Sequence, residues 1–227
     1  MLPKVIEPLL PELMADPNTV GILLNGSYAY GEAYPGSDVD LMVFLTPGES
    51  KPFETREIEG VTVEIHWRDL GKASMRLIER PMEVYRYLEA EILHDPDGHV
   101  AHLVRTASER YENYSVPTDE VFALTYWLQS TEHKIWLARN AGDLPKAVFG
   151  ASTSSWRILE GLWAANNRPM PPSSLAWQHL KRLPKVPEGY NQLIDDFFMG
   201  GSKERVEAAL ELIDWTLSQL EATQVLK

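Results

Sequence analysis

Residues 21–45 read GILLNGSYAYGEAYPGSDVDLMVFL. The run starts as an apolar strand, Gly21 to Leu24, and turns at Gly26-Ser27. It then passes through small residues into a second strand that carries Asp38 and Asp40. Side chains alternate along a strand, so residues 38 and 40 are expected on one face, with Val39, Leu41 and Val43 on the other. Two carboxylates that close repel each other unless a cation lies between them. Oxygen ligands of this kind suit Mg²⁺, which takes one or two carboxylates and fills its other positions with water and substrate phosphate. The Gly26-Ser27 turn adds backbone N–H groups and a hydroxyl able to hold phosphate oxygens. Taken singly, an Asp-x-Asp or a Gly-Ser turn is also ordinary loop chemistry; the two in one strand–turn–strand unit point to a metal beside a phosphate.

Gly26-Ser27, Ala29, Gly31 and the run Ser37-Asp38-Val39-Asp40-Leu41 together resemble the signature of the polymerase-beta-type nucleotidyltransferase superfamily. Its smaller bacterial members include aminoglycoside and lincosamide nucleotidyltransferases and the minimal nucleotidyltransferases of toxin–antitoxin pairs. The likeness is specific across residues 21–45, extends to residue 110 or so, and fades beyond. It implies a third carboxylate on a neighbouring strand. The segment VTVEIHW, residues 61–67, alternates Val61, Val63, Ile65 and Trp67 with Thr62, Glu64 and His66, the pattern of a half-buried strand, and Glu64 matches the expected position. Glu57 and Glu59 stand in reserve, and His66 reads as structural rather than as a ligand.

The resemblance therefore implies Asp38, Asp40 and Glu64 as catalytic and metal-binding residues, and Gly26, Ser27 and Ser37 as nucleotide-binding, Ser37 by steadying the Asp-bearing strand. It implies two Mg²⁺ ions, with ATP or another nucleoside triphosphate as substrate, and in-line attack on the α-phosphorus that releases pyrophosphate. One position departs from the family: the basic residue often found before the second glycine is Tyr30 here. Positive charge is expected instead from the later half, with Lys134, Arg139, Lys146 and Arg157 as candidates.

Outward from this stretch, residues 4–15 have helical spacing shortened by Pro8 and Pro11. Residues 53–58 read as a strand, and residues 70–91 as helix interrupted at Pro81. Residues 92–98, ILHDPDG, read as a short edge strand and turn that close the domain. The spacing of His94, His99 and His102 fits no standard metal site.

After a linker at residues 112–117 the chain turns helical. A helix from Thr118 ends near Gly142, Pro145 opens another that runs to Asn167, and shorter helices cover residues 173–182 and 190–199. A last amphipathic helix starts at Ser202. The predicted fold is α+β: a small mixed-sheet domain over residues 1–114 with helices on one sheet face, then an all-α bundle over residues 115–227, with the active site between them. Trp127, Trp136, Trp156, Trp163, Trp177 and Trp215 all fall in the bundle, and most are expected in its core.

The 227 residues carry 33 acidic against 21 basic side chains, a net charge of −12. That balance argues against a non-specific grip on nucleic acid and suits a cationic small substrate. There is no cysteine, so disulfide and thiol chemistry are excluded. The proline-broken, acidic N-terminus does not read as a signal peptide, and no run is apolar enough to cross a bilayer. A cytoplasmic protein is predicted, monomeric or homodimeric.

The layout resembles that of the antibiotic-modifying members, with an aminoglycoside-like hydroxyl as acceptor. The alternative is a toxin–antitoxin component that adenylylates a partner protein. An RNase fused as the helical half is discounted, because no arginine has a histidine at the spacing such RNases carry.

Overall fold

A computed structural model describes residues 4–225, the side chains of residues 223–225 excepted. The chain divides into two compact units that meet between Asn113 and Tyr114.

The first unit is built on a five-stranded mixed sheet. Its strands are β1 (Thr19–Asn25), β2 (Val39–Leu45), β3 (Glu54–Ile58), β4 (Val61–Asp69) and β5 (Glu91–His94), in the order β3-β4-β2-β1-β5. β1 runs antiparallel to β2 and β5, and β3 antiparallel to β4, while β2 and β4 are parallel. Before the sheet, a 3-10 turn at Lys4–Ile6 leads into α1 (Leu9–Ala15), with Pro8 as its N-cap. One sheet face buries Ile22, Leu24, Val39, Leu41, Val43, Val63 and Ile65 against Val5, Ile6, Leu9 and Leu13.

The other face is also covered, contrary to the sequence expectation of helices on one side. Leu23, Met42 and Phe44 are buried there. β1 is followed by the one-turn α2 (Gly26–Tyr30), and β4 by α3 (Leu70–Glu79), a 3-10 turn at Pro81–Arg86 and, after β5, α4 (His99–Glu112). Gly21 lies against α4: a Cβ on it would stand 2.2 Å from Cγ2 of Val100 and 3.1 Å from the His94 carbonyl oxygen. Phe44 meets Tyr87 with ring centroids 6.4 Å apart. The physical reason is visible in the strands themselves. Ile22-Leu23-Leu24 and the run from Leu41 to Leu45 are apolar at consecutive positions, and a strand apolar on both faces needs cover on both. Asp69 caps α3 by accepting from Lys72 N at 2.9 Å, and Asp95, upstream of the N-cap Gly98, accepts from Val100 N and Ala101 N in the first turn of α4 at 3.1 and 2.8 Å.

The second unit is helical: α5 (Thr118–Asn140), α6 (Leu144–Thr153), α7 (Ser155–Ala165), α8 (Ser173–Leu180), α9 (Tyr190–Met199) and α10 (Ser202–Val225). The helix expected over residues 145–167 is two helices, broken at Ser154. α10 packs on α5, α6, α7 and α9 around Leu128, Ile158, Leu162, Ala209, Leu212 and Ile213.

The tryptophans overturn their expectation. Trp163 is buried at 1 % exposure, Trp215 is partly buried, and Trp127, Trp136, Trp156 and Trp177 are 43–49 % exposed. The buried positions of α5, Val121, Leu124, Leu128, Thr131, Ile135 and Ala138, already form a complete helical stripe, which leaves Trp127 and Trp136 off it.

Gly21→Ala should lower the unfolding free energy by about 1–3 kcal/mol, through overpacking against Val100. In a Val100→Ala background the same Gly21→Ala change should cost less, because the clashing methyl is gone. Urea denaturation of the four proteins measures the coupling.

Candidate active site

The parallel register of β2 and β4 sets Asp40 beside Glu64 and Met42 beside His66. Residues 64 and 66 are two apart on one strand, so their side chains share a face with that of Asp40. The ligand atoms of Asp40, Glu64 and His66 all lie within 4.8 Å of one another. His66 Nε2 is 3.5 Å from Glu64 Oε2 and 3.9 Å from Asp40 Oδ1, and the three side chains are 27–33 % exposed. Phe53 packs on the imidazole, with ring centroids 4.9 Å apart.

Of the sequence-derived site residues, the structure thus brings Asp40 and Glu64 together. Asp38 lies one residue before β2 and is exposed; its carboxylate is outside the group of three, although its charge reaches Asp40. Burial first, then the charges of Asp38 and Glu64, push the Asp40 carboxyl up to about 6. Asn25, the register partner of Asp40 on β1, holds a buried Oδ1 that makes no hydrogen bond. Two half-buried carboxylates with an imidazole alongside form a donor set that fits a divalent cation.

Gly26 and Ser27 open α2 rather than a plain turn, and Gly31 ends that helix in the left-handed conformation. Gly26 has φ +68°, and a Cβ on it would stand 1.9 Å from Asp40 Oδ2. Glycine is required there twice over, by backbone conformation and by the approach of the carboxylate. Ser37 closes the turn before β2: its Oγ accepts from Tyr34 N at 2.9 Å, and its N–H donates to the Tyr34 carbonyl at 2.9 Å. The reserve residues stand apart from the group. Glu57 faces Thr62 across the β3–β4 pair and accepts from its hydroxyl at 3.2 Å, and Glu59 sits in the hairpin turn.

The structure sets His66, read from the sequence as structural, beside the two carboxylates, and adds a basic neighbourhood within the first unit that the sequence reading did not include. The signal for His66 was present, since it shares the alternation of Glu64. Burial, then the charge of Arg68, holds the His66 imidazole below the ordinary histidine range, against the pull of Glu64. Arg68 continues the same face of β4. Arg86, at the end of the 3-10 turn, acts electrostatically on both His66 and Tyr30. No local pattern marks Arg86, because the fold carries it back to the strand. Of the basic residues expected to serve from the helical half, Arg139 pairs with Glu207 at 2.7 Å and Arg157 with Glu160 at 2.5 Å.

Residues 9–94 match the model of a family described as "Nucleotidyltransferase domain". The matched segment contains Gly26, Ser27, Ser37, Asp38, Asp40, Glu64 and His66. Among solved structures, the chain is similar to a nucleotidyltransferase-like protein from Exiguobacterium sibiricum 255-15, at 15 % identity and a TM-score of 0.45, over 94 % of this chain and 73 % of that one. No curated protein matches the sequence. The family match is confined to residues 9–94, and nucleotidyl transfer is the chemistry it supports. Among the described residues no helix is long and apolar enough to cross a membrane.

The raised pKa of Asp40 has a definite sign for stability. The folded chain holds this proton more tightly than the unfolded chain, so stability falls as pH rises from the ordinary carboxylate range to about 6. Asp40→Asn should therefore stabilise the chelator-treated protein at pH 7.5 by about 1–2 kcal/mol, after discounting for partial exposure. The gain should vanish below about pH 4. Thermal melts of both proteins across pH check this. Gly26→Ala should have the opposite effect, a loss of about 1–3 kcal/mol read by the same melts.

Proposed function

We propose that the protein is a cytoplasmic, metal-dependent nucleotidyltransferase. It transfers a nucleoside monophosphate, AMP, from a nucleoside triphosphate to a hydroxyl of a small-molecule acceptor of the aminoglycoside type, releasing pyrophosphate. In this reading residues 1–114 form the catalytic domain and residues 115–227 a helical domain. The observation that carries it is the pairing of Asp40 with Glu64 on adjacent parallel strands, with Gly26 pressed against the Asp40 carboxylate, inside the matched domain.

Asp38, Asp40 and Glu64 are the residues that would hold Mg²⁺, in two sites. Bound there, the ions would supply charge stabilisation for the attacking and leaving oxygens of an in-line displacement. The chain's own groups do the rest. Ser27 and the N–H groups at the start of α2 hold the β- and γ-phosphates, and Gly26 lets the backbone come close to them. Ser37 braces the segment that delivers Asp38. Glu64 accepts the proton of the acceptor hydroxyl as its oxygen bonds to the α-phosphorus and the bond to pyrophosphate breaks. The net charge of −12 favours a cationic acceptor over a nucleic acid.

The test is a pyrophosphate-release screen with ATP, GTP, CTP and UTP under Mg²⁺, against aminoglycosides, lincosamides and peptides. ATP with an amine-rich polyol should give the largest release. Asp38→Asn, Asp40→Asn and Glu64→Gln should each cost on the order of 10²-fold or more in kcat. Release sustained only by a protein substrate would replace the small-molecule acceptor with a partner protein. Unchanged turnover in all three variants would overturn the mechanism.

A further inference from the structure

The three ligand atoms that the fold gathers are two carboxylate oxygens and one imidazole nitrogen. We propose that His66 is a nitrogen ligand of the cation site, and that this ligand makes the site selective for Mn²⁺ over Mg²⁺. The inference rests on the reading that Asp40 and Glu64 hold a divalent ion.

Three observations support it. The first is placement. His66 lies two residues beyond Glu64 on β4, so the regular strand points both side chains to one face without any loop in between. The second is separation. His66 Nε2 stands 3.5 Å from Glu64 Oε2 and 3.9 Å from Asp40 Oδ1. These distances are too long for good hydrogen bonds, which fall at about 2.7–3.2 Å for N–H···O. They lie between the separations that donors adopt around a shared octahedral ion, where bonds of about 2.1 Å leave neighbouring donors about 3.0 Å and opposite donors about 4.2 Å apart. The third is support. The Phe53 ring lies against the imidazole, with centroids 4.9 Å apart.

The chemical consequence follows from donor type. Mg²⁺ binds oxygen and sheds water reluctantly, so an imidazole in the set adds little to its affinity. First-row transition ions accept imidazole, with Mn²⁺ at the weak end of their affinity order and Co²⁺ above it. Two carboxylates and a neutral imidazole match the charge of a divalent ion.

The test uses the full chain and binding readouts independent of turnover. Mn²⁺ is titrated while its free-ion EPR signal is followed, and Mg²⁺ is measured by competition. The proteins are the wild type, His66→Ala and Asp40→Asn, with folding checked by circular dichroism. The wild type should bind Mn²⁺ at least about tenfold more tightly than Mg²⁺. His66→Ala should lose about 10- to 100-fold in Mn²⁺ affinity, with Mg²⁺ affinity within about twofold of wild type. Electron spin-echo modulation of the wild-type Mn²⁺ complex should contain coupling to a directly bound nitrogen, a measurement that needs no variant to fold.

Absence of that nitrogen coupling overturns the proposal, as does equal Mn²⁺ affinity in wild type and His66→Ala, or Mn²⁺ binding untouched by Asp40→Asn. The two readings fail separately. If no acceptor supports pyrophosphate release while Mn²⁺ binding depends on His66, the proposed reaction falls and the ligand assignment stands. Release that needs Asp40 but is indifferent to His66 and to the choice of ion does the reverse.

Discussion

The site depends on one pairing, the parallel ladder between β2 and β4 that sets Asp40 abreast of Glu64. Adjacent strands lie about 4.8 Å apart, so two carboxylates on one face at one register position have little room to separate. Left to itself the repulsion would favour a slipped register. It cannot slip, because Val39, Leu41 and Val43 on β2 and Val63 and Ile65 on β4 are buried on the opposite face. A one-residue shift would turn all of them to the other side of the sheet. Each such side chain gains about 1.5–3 kcal/mol by burial, against a like-charge cost of about 1–2 kcal/mol. Hydrophobic burial wins, and the carboxylates stay where a cation would use them.

The same economy governs the end of β1. Gly26 gives up a side chain so that the Asp40 carboxylate can sit against the backbone where α2 begins. Tyr30 ends that short helix, and positive charge comes near from Arg68 on β4 and from Arg86 in the 3-10 turn Pro81–Arg86. Asp40, Glu64, His66 and Arg68 thus share one sheet face with the buried Leu23, Met42 and Phe44, while the opposite face packs against Val5, Ile6, Leu9 and Leu13.

The helical unit solves a different problem. Its core is mostly Leu, Ile, Val and Ala from α5 to α10, joined by Tyr190 and Phe197 of α9, with Trp163 alone of the expected tryptophans fully inside. Small aliphatic side chains let the helices approach closely. The larger indoles lie on the flanks, where Arg157 stands 5.8 Å from the Trp127 ring centre and Lys181 5.3 Å from that of Trp177.

Much of this was legible in the chain. The strands around Gly26-Ser27 and Asp38-x-Asp40, the alternation that puts Glu64 on a half-buried strand, and most helix boundaries follow from periodicity and from proline and glycine punctuation, which are local properties. The apolar run after Asp40 also carried the need for cover on both sheet faces, since consecutive buried side chains cannot share one side. What local pattern could not supply was neighbourhood. That Asp40 meets Glu64 and His66 while Asp38 stays outside the group, that Arg86 returns to the site, and that the tryptophans flank rather than fill the core are decided by strand order and helix packing. Those bring together residues far apart in sequence, and period and propensity carry no information about such distances.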